Sequence, residues 1–148
     1  MFAIDTNLLV YAHNRGSEFN EKSVAFLERV LNERDGDGNL SVSLPTQVLM
    51  EFLNVITWQK LKKPLSLTQA ISVIEEYLSA GIPIVGQKET QIQTFLDLMR
   101  NVKTRKRIFD VSLAATLKDN GITGIYTVNV SDFDDFNYIE AINPLKTA

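Results

Sequence analysis

Apolar residues recur along the chain with two alternating periods, which predicts short strands separated by amphipathic helices. The chain opens with Met1-Phe2-Ala3-Ile4, an apolar run long enough for a buried strand and too short for a helix. Leu8, Leu9, Tyr11 and Ala12 follow at helical spacing, so Asp5 falls at the junction of a strand and a helix. After a loop at 14–17, a helix over 19–34 presents Val24, Phe26, Leu27, Val30 and Leu31 on one face. Leu40-Ser41-Val42-Ser43 reads as a second strand, and Pro45 suits the first turn of the helix that continues through Phe52 and Ile56 to about Trp58. Ser66 and Gln69 form a capping box for a helix that runs to Ala80 and stops at Gly81. Ile82-Pro83-Ile84-Val85 is a third strand, placed at a sheet edge by Pro83. A helix over 90–100 carries Ile92, Phe95, Leu96 and Met99 on one side. Another, opened by Asp110, runs through Val111, Ala114, Ala115 and Leu117 to Asn120-Gly121. A fourth strand spans 122–128, and Tyr138, Ile139, Ala141 and Ile142 make a fifth. Strands separated by helices imply mostly parallel pairing with right-handed crossovers, hence a three-layer α/β/α sandwich.

Composition narrows the class without naming a chemistry. At 148 residues with 45% hydrophobic and 22% charged positions, the chain suits one globular domain over 1–148. A net charge of −3 gives no global attraction for nucleic acid, so such a partner needs a local basic face or cations held in an acidic site. The absence of cysteine excludes a disulfide framework and a thiolate zinc site, and fits a cytoplasmic location. The N-terminus carries Asp5 within its apolar stretch and has no basic leader, which is unlike a signal peptide. No apolar run approaches the ~18 residues that span a bilayer, so no membrane association is expected.

The candidate chemistry lies at strand ends. In an open α/β sheet ligands bind beyond the carboxyl ends of the strands, where Asp5-Thr6-Asn7 sits. An ionised carboxylate beside a buried strand is costly unless paired or bound to a metal. The same three residues also serve as an ordinary capping turn. Gln47, Glu51, Asn54 and Trp58 form a narrow polar stripe on an otherwise apolar helix, facing either a cleft or water. The loop Asp35-Gly36-Asp37-Gly38-Asn39 invites a calcium reading, but Leu40 stands where that loop needs glycine and Thr46 where it needs glutamate, so it reads as a solvated turn. Asp110 opens a helix, and Thr127, Asn129, Asp132, Asp134 and Asp135 follow the fourth strand. Four acids from separate parts of the chain, Asp5, Glu51, Asp110 and Asp132, thus occupy corresponding places. Carboxylates suit Mg²⁺ or Mn²⁺, and four crowded together cannot all stay ionised without cations. Two such ions ~3.5–4 Å apart activate water and stabilise a leaving oxygen in phosphodiester displacement. A Gly-rich phosphate loop and a G-x-S-x-G elbow are absent. His13 lies on the first helix near the proposed site and reads as an exposed helix histidine or a contact. Lys60, Lys62 and Lys63, and the tract Lys103, Arg105, Lys106 and Arg107, are candidate phosphate contacts on either side of the crevice, or solvated charge. Tyr11 and Trp58 are candidate stacking or core aromatics.

Four stretches together resemble the PIN-domain nucleases, and among them the VapC-like toxins of toxin–antitoxin pairs. They are Ile4-Asp5-Thr6-Asn7-Leu8-Leu9-Val10-Tyr11-Ala12, Gln47-Val48-Leu49-Met50-Glu51-Phe52, Phe109-Asp110-Val111-Ser112-Leu113-Ala114-Ala115 with Gly121, and Tyr126-Thr127-Val128-Asn129-Val130-Ser131-Asp132-Phe133. The resemblance spans essentially the whole chain and implies a parallel sheet in order 3-2-1-4-5, with Asp5 and Asp132 flanking the crevice where the order reverses. It implies a metal-dependent endoribonuclease in which Asp5, Glu51, Asp110 and Asp132 hold Mg²⁺ or Mn²⁺. Thr6, Asn7, Thr127 and Asn129 would steady those carboxylates and metal-bound waters. Some relatives carry another acid where Asn129 stands, and Asp134 or Asp135 could replace Asp132, so the fourth ligand stays open. The resemblance further implies RNA as substrate, a small antitoxin protein that inserts a peptide at the acidic groove, and a homodimer through the apolar surface of 64–80. A haloacid-dehalogenase-like phosphatase with Asp5 as nucleophile is an alternative, although Asn7 stands where its second aspartate belongs. A catalytically silent PIN scaffold acting by binding is another.

Overall fold

The computed structural model describes residues 1–146, without the Lys106 side chain. Five strands, β1 (Phe2–Ile4), β2 (Val42–Pro45), β3 (Ile84–Val85), β4 (Gly124–Tyr126) and β5 (Glu140–Ile142), form one sheet in the order β3-β2-β1-β4-β5. Every pairing is parallel, and the expected order 3-2-1-4-5 is the one observed. The intervening helices are α1 (Thr6–His13), α2 (Asn20–Asn32), α3 (Thr46–Ile56), α4 (Leu67–Ser79), α5 (Gln91–Met99) and α6 (Ile108–Asp119). Right-handed crossovers explain the three layers. The chain steps one way from β1 to β3, which sets α1 to α4 on one face, and then jumps back across the sheet to β4, which sets α5 and α6 on the other. Contacts follow that division: α1 packs on α2 and α3, α3 on α4, and α5 on α6.

The core is built from the two apolar periods. Ile4, Leu44 and Ile125 from the sheet, Leu8 and Leu9 from α1, Val48 and Phe52 from α3, and Leu117 from α6 are fully buried. Ala114 and Ala115, also buried, keep α6 close to its neighbours. Gly124 fits β4 beside β1 because a Cβ there would stand 2.3 Å from the Phe2 ring.

Element boundaries depart from the sequence expectation for local reasons. Asp35 Oδ1 accepts the amides of Asp37 and Asn39, each at 2.9 Å, and Leu40 bridges antiparallel to Arg34. The acidic loop is therefore a closed turn that keeps Leu40 out of the sheet, and β2 begins at Val42. Pro45 ends β2 and precedes α3 instead of entering its first turn. The edge strand β3 shrinks to two residues; Pro83, lacking an N–H, contributes only its carbonyl, which accepts Leu44 N at 2.9 Å. β4 and β5 are likewise shorter than their apolar runs. The capping box at Ser66 and Gln69 is formed. Among the described residues no helix is long and apolar enough to cross a membrane.

Candidate active site

The site is assembled at the carboxyl ends of the central strands, where neighbour order reverses between β1 and β4. Pairing of Ile4 with Tyr126 brings the residue after each strand side by side, and Asp5 N donates to Tyr126 O at 2.9 Å. Thr127, the next residue in β4's wake, donates its hydroxyl to Asp5 Oδ2 at 2.7 Å. The other oxygen, Asp5 Oδ1, accepts Thr6 N at 2.8 Å, so Asp5 also caps α1. The capping role and the site role therefore coexist.

From Asp5 the polar contacts run on without a break. Thr6 Oγ1 donates to Glu51 Oε2 at 2.8 Å. Glu51 Oε1 accepts from Gln47 Nε2 at 3.1 Å, and the same amide donates to the Phe109 carbonyl at 3.1 Å. That carbonyl lies one residue before Asp110, which occupies the first turn of α6 beginning at Ile108. Asp132 sits in a 3-10 turn over Val130–Phe133. Arg107 reaches from the start of α6 to this turn, donating to Asp132 O at 3.4 Å and pairing with Asp135 Oδ2 at 3.1 Å. Residues from four distant stretches are thus tied into one array.

Electrostatics report the same convergence. Burial raises the Asp5 carboxyl above its ordinary range, against the hydrogen bonds from Thr127 and Thr6, and Glu51 and Asp132 raise it further. Asp110 is pushed up to about 6 by burial, then by Asp132 and Asp5, with Arg107 pulling the other way and Glu51 adding to the rise. Four acids therefore share one field, Asp132 among them. Among the described residues no three acids form a ready-made coordination shell. The donor set nonetheless suits a hard divalent cation: it offers carboxylate oxygens that repel one another, and positive charge would relieve that repulsion.

The remaining predicted residues divide. Thr6 and Thr127 hold carboxylates, whereas Asn129 meets the site through its backbone, its N–H donating to Thr127 Oγ1 at 3.0 Å. Asn7 follows Thr6 on α1 and is half-buried. Only the first half of the polar stripe faces the array; Asn54 and Trp58 are exposed, Trp58 by 55%, which also excludes it from the core. Lys60, Lys62 and Lys63 lie past the C-terminal end of α3, whose eleven residues rise roughly 16 Å from Thr46. They are exposed but sit away from the crevice mouth, contrary to expectation. Arg105 is exposed in the 3-10 turn that precedes α6, the Lys106 side chain lies outside the described residues, and Arg107 is engaged by Asp135. His13 is a correction as well. It ends α1, ~12 Å along the helix from Asp5, and its Nε2 hydrogen-bonds Tyr77 Oη while its ring packs edge-on against Phe52 and Tyr77. Burial lowers its pKa. The Gln47–Glu51 contact was visible as an i, i+4 pair, but nothing in the sequence pointed to Phe109 O or to the Arg107–Asp135 pair, which depend on tertiary docking.

Comparison with known proteins identifies the family. A PIN-domain family model matches residues 2–137. Ribonuclease VapC24 of Mycobacterium tuberculosis is 27% identical over 155 residues, covering 99% of each chain. The fold resembles FitAB bound to an IR36 DNA fragment (TM-score 0.69, 18% identity, all of this chain and 98% of that one). It also resembles the sarcin-ricin loop cleaving toxin VapC20 of Mycobacterium tuberculosis (0.63, 15%, 89% and 92%). A family match across nearly the whole sheet, with acids gathered at its switch point, places this chain in the PIN-domain family.

Proposed function

We propose that this protein is a VapC-like endoribonuclease toxin that hydrolyses RNA phosphodiester bonds with Mg²⁺ or Mn²⁺ at Asp5, Glu51, Asp110 and Asp132. The observation that carries this reading is the unbroken contact path Thr127–Asp5–Thr6–Glu51–Gln47–Phe109. It fixes three acid-bearing segments against one another, while Arg107 ties α6 to the segment of Asp132. Bound cations would supply water activation and stabilisation of the leaving oxygen. The chain's own part is to hold four carboxylates in place before the cations arrive, with Thr6 and Thr127 restricting which oxygen of Glu51 and of Asp5 faces inward. Arg105, exposed in the turn that leads into Asp110's helix, would meet the RNA backbone. The full-length likeness to a VapC ribonuclease supports the substrate class, and a toxin of this kind is expected to work in the cytoplasm, as a homodimer, under a small antitoxin.

RNA cleavage should vanish in Asp5→Asn and in Asp110→Asn, and on addition of EDTA to the wild-type protein, with Mn²⁺ restoring only the last. Cleavage that survives either substitution, in protein free of contaminating nuclease, defeats the reading.

A further inference from the structure

We propose that the hollow between the Tyr11–Phe19 pair and the Asn143–Lys146 turn is a nucleotide subsite, where one base of the RNA strand stacks on Phe19 and its phosphate meets Lys146. The proposal rests on the ribonuclease reading and extends it to how substrate is held. The hollow measures about 310 Å³ and is lined by Tyr11, Phe19, Val128, Asn143, Leu145 and Lys146. That is the lower end of the ~300–1,000 Å³ typical of small-molecule sites, and suits one nucleotide. It shares Val128, Asn143 and Lys146 with a second, polar hollow of about 380 Å³ that extends past Asn129 and Ser131 to Asp134, the one acid in its lining. The two make one groove along the strand ends. Val128 lies between Thr127, which donates to Asp5, and Asn129, whose N–H donates to Thr127. The groove therefore begins one residue from the hydroxyl that holds the central acid.

Its chemistry is that of a nucleotide. Tyr11 and Phe19 pack with centroids 5.0 Å apart and planes at 42°, and Phe19 remains 39% exposed. Base–aromatic stacking is tolerant of sequence and worth ~1–3 kcal/mol per base, or roughly 5–150-fold in affinity. Asn143 Oδ1 accepts Leu145 N at 3.0 Å, and among the described residues its amide nitrogen, a donor suited to a base edge or sugar, has no hydrogen-bond partner. Lys146 adds the positive charge that a phosphate requires and that an apolar peptide does not.

The test uses Asp5→Asn protein, which binds without cutting, and fluorescein-labelled RNA oligonucleotides in which a single abasic nucleotide is walked along the strand. Binding is read by anisotropy, and the same abasic series is cleaved by protein with Asp5 intact. One abasic position should weaken binding on the order of tenfold. Phe19→Leu, which keeps the apolar packing but cannot stack, should lose that discrimination, whereas Phe19→Trp should keep it. Lys146→Ala should weaken all oligonucleotides alike and flatten the salt dependence. Melting temperatures within a few degrees of the parent identify variants that are folded. RNA bound or cleaved with no abasic effect, or an effect unchanged in Phe19→Leu, overturns the subsite and leaves the ribonuclease reading intact. Failure to bind or cleave any RNA overturns both. If Phe19→Leu changes only neutralisation by a protein partner, the hollow belongs to that partner and the subsite is overturned.

Discussion

Gln47 is the residue on which the geometry of the site most depends without being an acid itself. Its single amide nitrogen contacts both Glu51 Oε1 and the Phe109 carbonyl, so one side chain sets the spacing between α3 and the first turn of α6. Removing it frees a carboxylate and takes the interhelical donor away from the Phe109 carbonyl, which keeps only its bond within α6. Partners of metal-binding side chains typically matter 10–100-fold in metal affinity or activity. Gln47→Ala should therefore weaken Mn²⁺ binding by calorimetry within that range with little loss of fold, and Gln47→Glu should fare worse because it adds a fifth negative charge. The stripe that contains Gln47 was legible in the sequence, as were all four acids, because i, i+4 spacing and strand-end position are local signals. Its second contact was not legible, since Phe109 lies 62 positions away and meets it only after two layers of helices have docked. The enclosure of His13 was not legible for a related reason. Position along α1 was readable, but Tyr77 and Phe52, which enclose it, come from other helices.

Asp110 carries a pH dependence of definite sign. Its carboxyl, pushed up to about 6 chiefly by burial and then by Asp132 and Asp5, is harder to ionise in the folded chain than in the unfolded one. A group raised in this way favours the fold at low pH, and that contribution is lost as pH rises through the folded value. Without metal, Asp110→Asn should therefore match the wild type in melting temperature below pH 4, overtake it between about 4 and 6, and hold a constant lead above that. Saturating Mn²⁺ should reverse the order at pH 7.5, because a cation bound to the ionised site stabilises only the wild type. Parallel melting curves at every pH would show that neither burial nor the neighbouring acids raise the Asp110 carboxyl.

At the scale of elements, the position of Asp5 next to Thr127 is set by the close contact of β1 with β4. Gly124 permits it, because a methyl group there would stand 2.3 Å from the Phe2 ring. Gly124→Ala should push the strands apart or turn Phe2 outward. Overpacking of this kind costs typically ~1–3 kcal/mol, or roughly 2–10 °C for a chain near this size. Phe2→Leu should recover part of the loss, which calorimetry on the single and double variants would show. Helix and strand counts were legible because apolar periods alternate cleanly, whereas the strand order was legible only through the family resemblance. The ends of the elements were less so, for identifiable causes. Leu40 is apolar enough to read as a strand, yet the Asp35 turn claims it first. Ile122, Thr127 and Val128 continue the β4 pattern although only three residues pair with β1, because burial extends beyond the hydrogen-bonded ladder.

At the scale of the whole molecule, the unpartnered apolar surface indicates where a second copy would sit. Residues 64–80 expose Leu67, Ile71 and Leu78, but more apolar area lies on α5 and the start of α6: Ile92, Leu96, Ile108 and, 73% exposed, Phe109. Beside them a hollow of about 420 Å³ opens between Ile92, Phe95, Ile108 and Phe109. A two-fold interface is self-complementary, so one projecting aromatic ring and one adjacent apolar hollow per chain are the parts that such an axis needs: each Phe109 can enter its partner's hollow. A homodimer through this surface, instead of the 64–80 surface that the sequence suggests, would place its axis next to Asp110. A stable interface buries on the order of 1,000 Å² or more with a largely apolar centre, which a charge at that centre would not tolerate. Leu96→Glu should accordingly convert the species seen by light scattering from dimer to monomer at micromolar concentration, while Ile71→Glu on α4 leaves it dimeric. The opposite pattern returns the interface to α4, and a monomeric wild type removes it altogether.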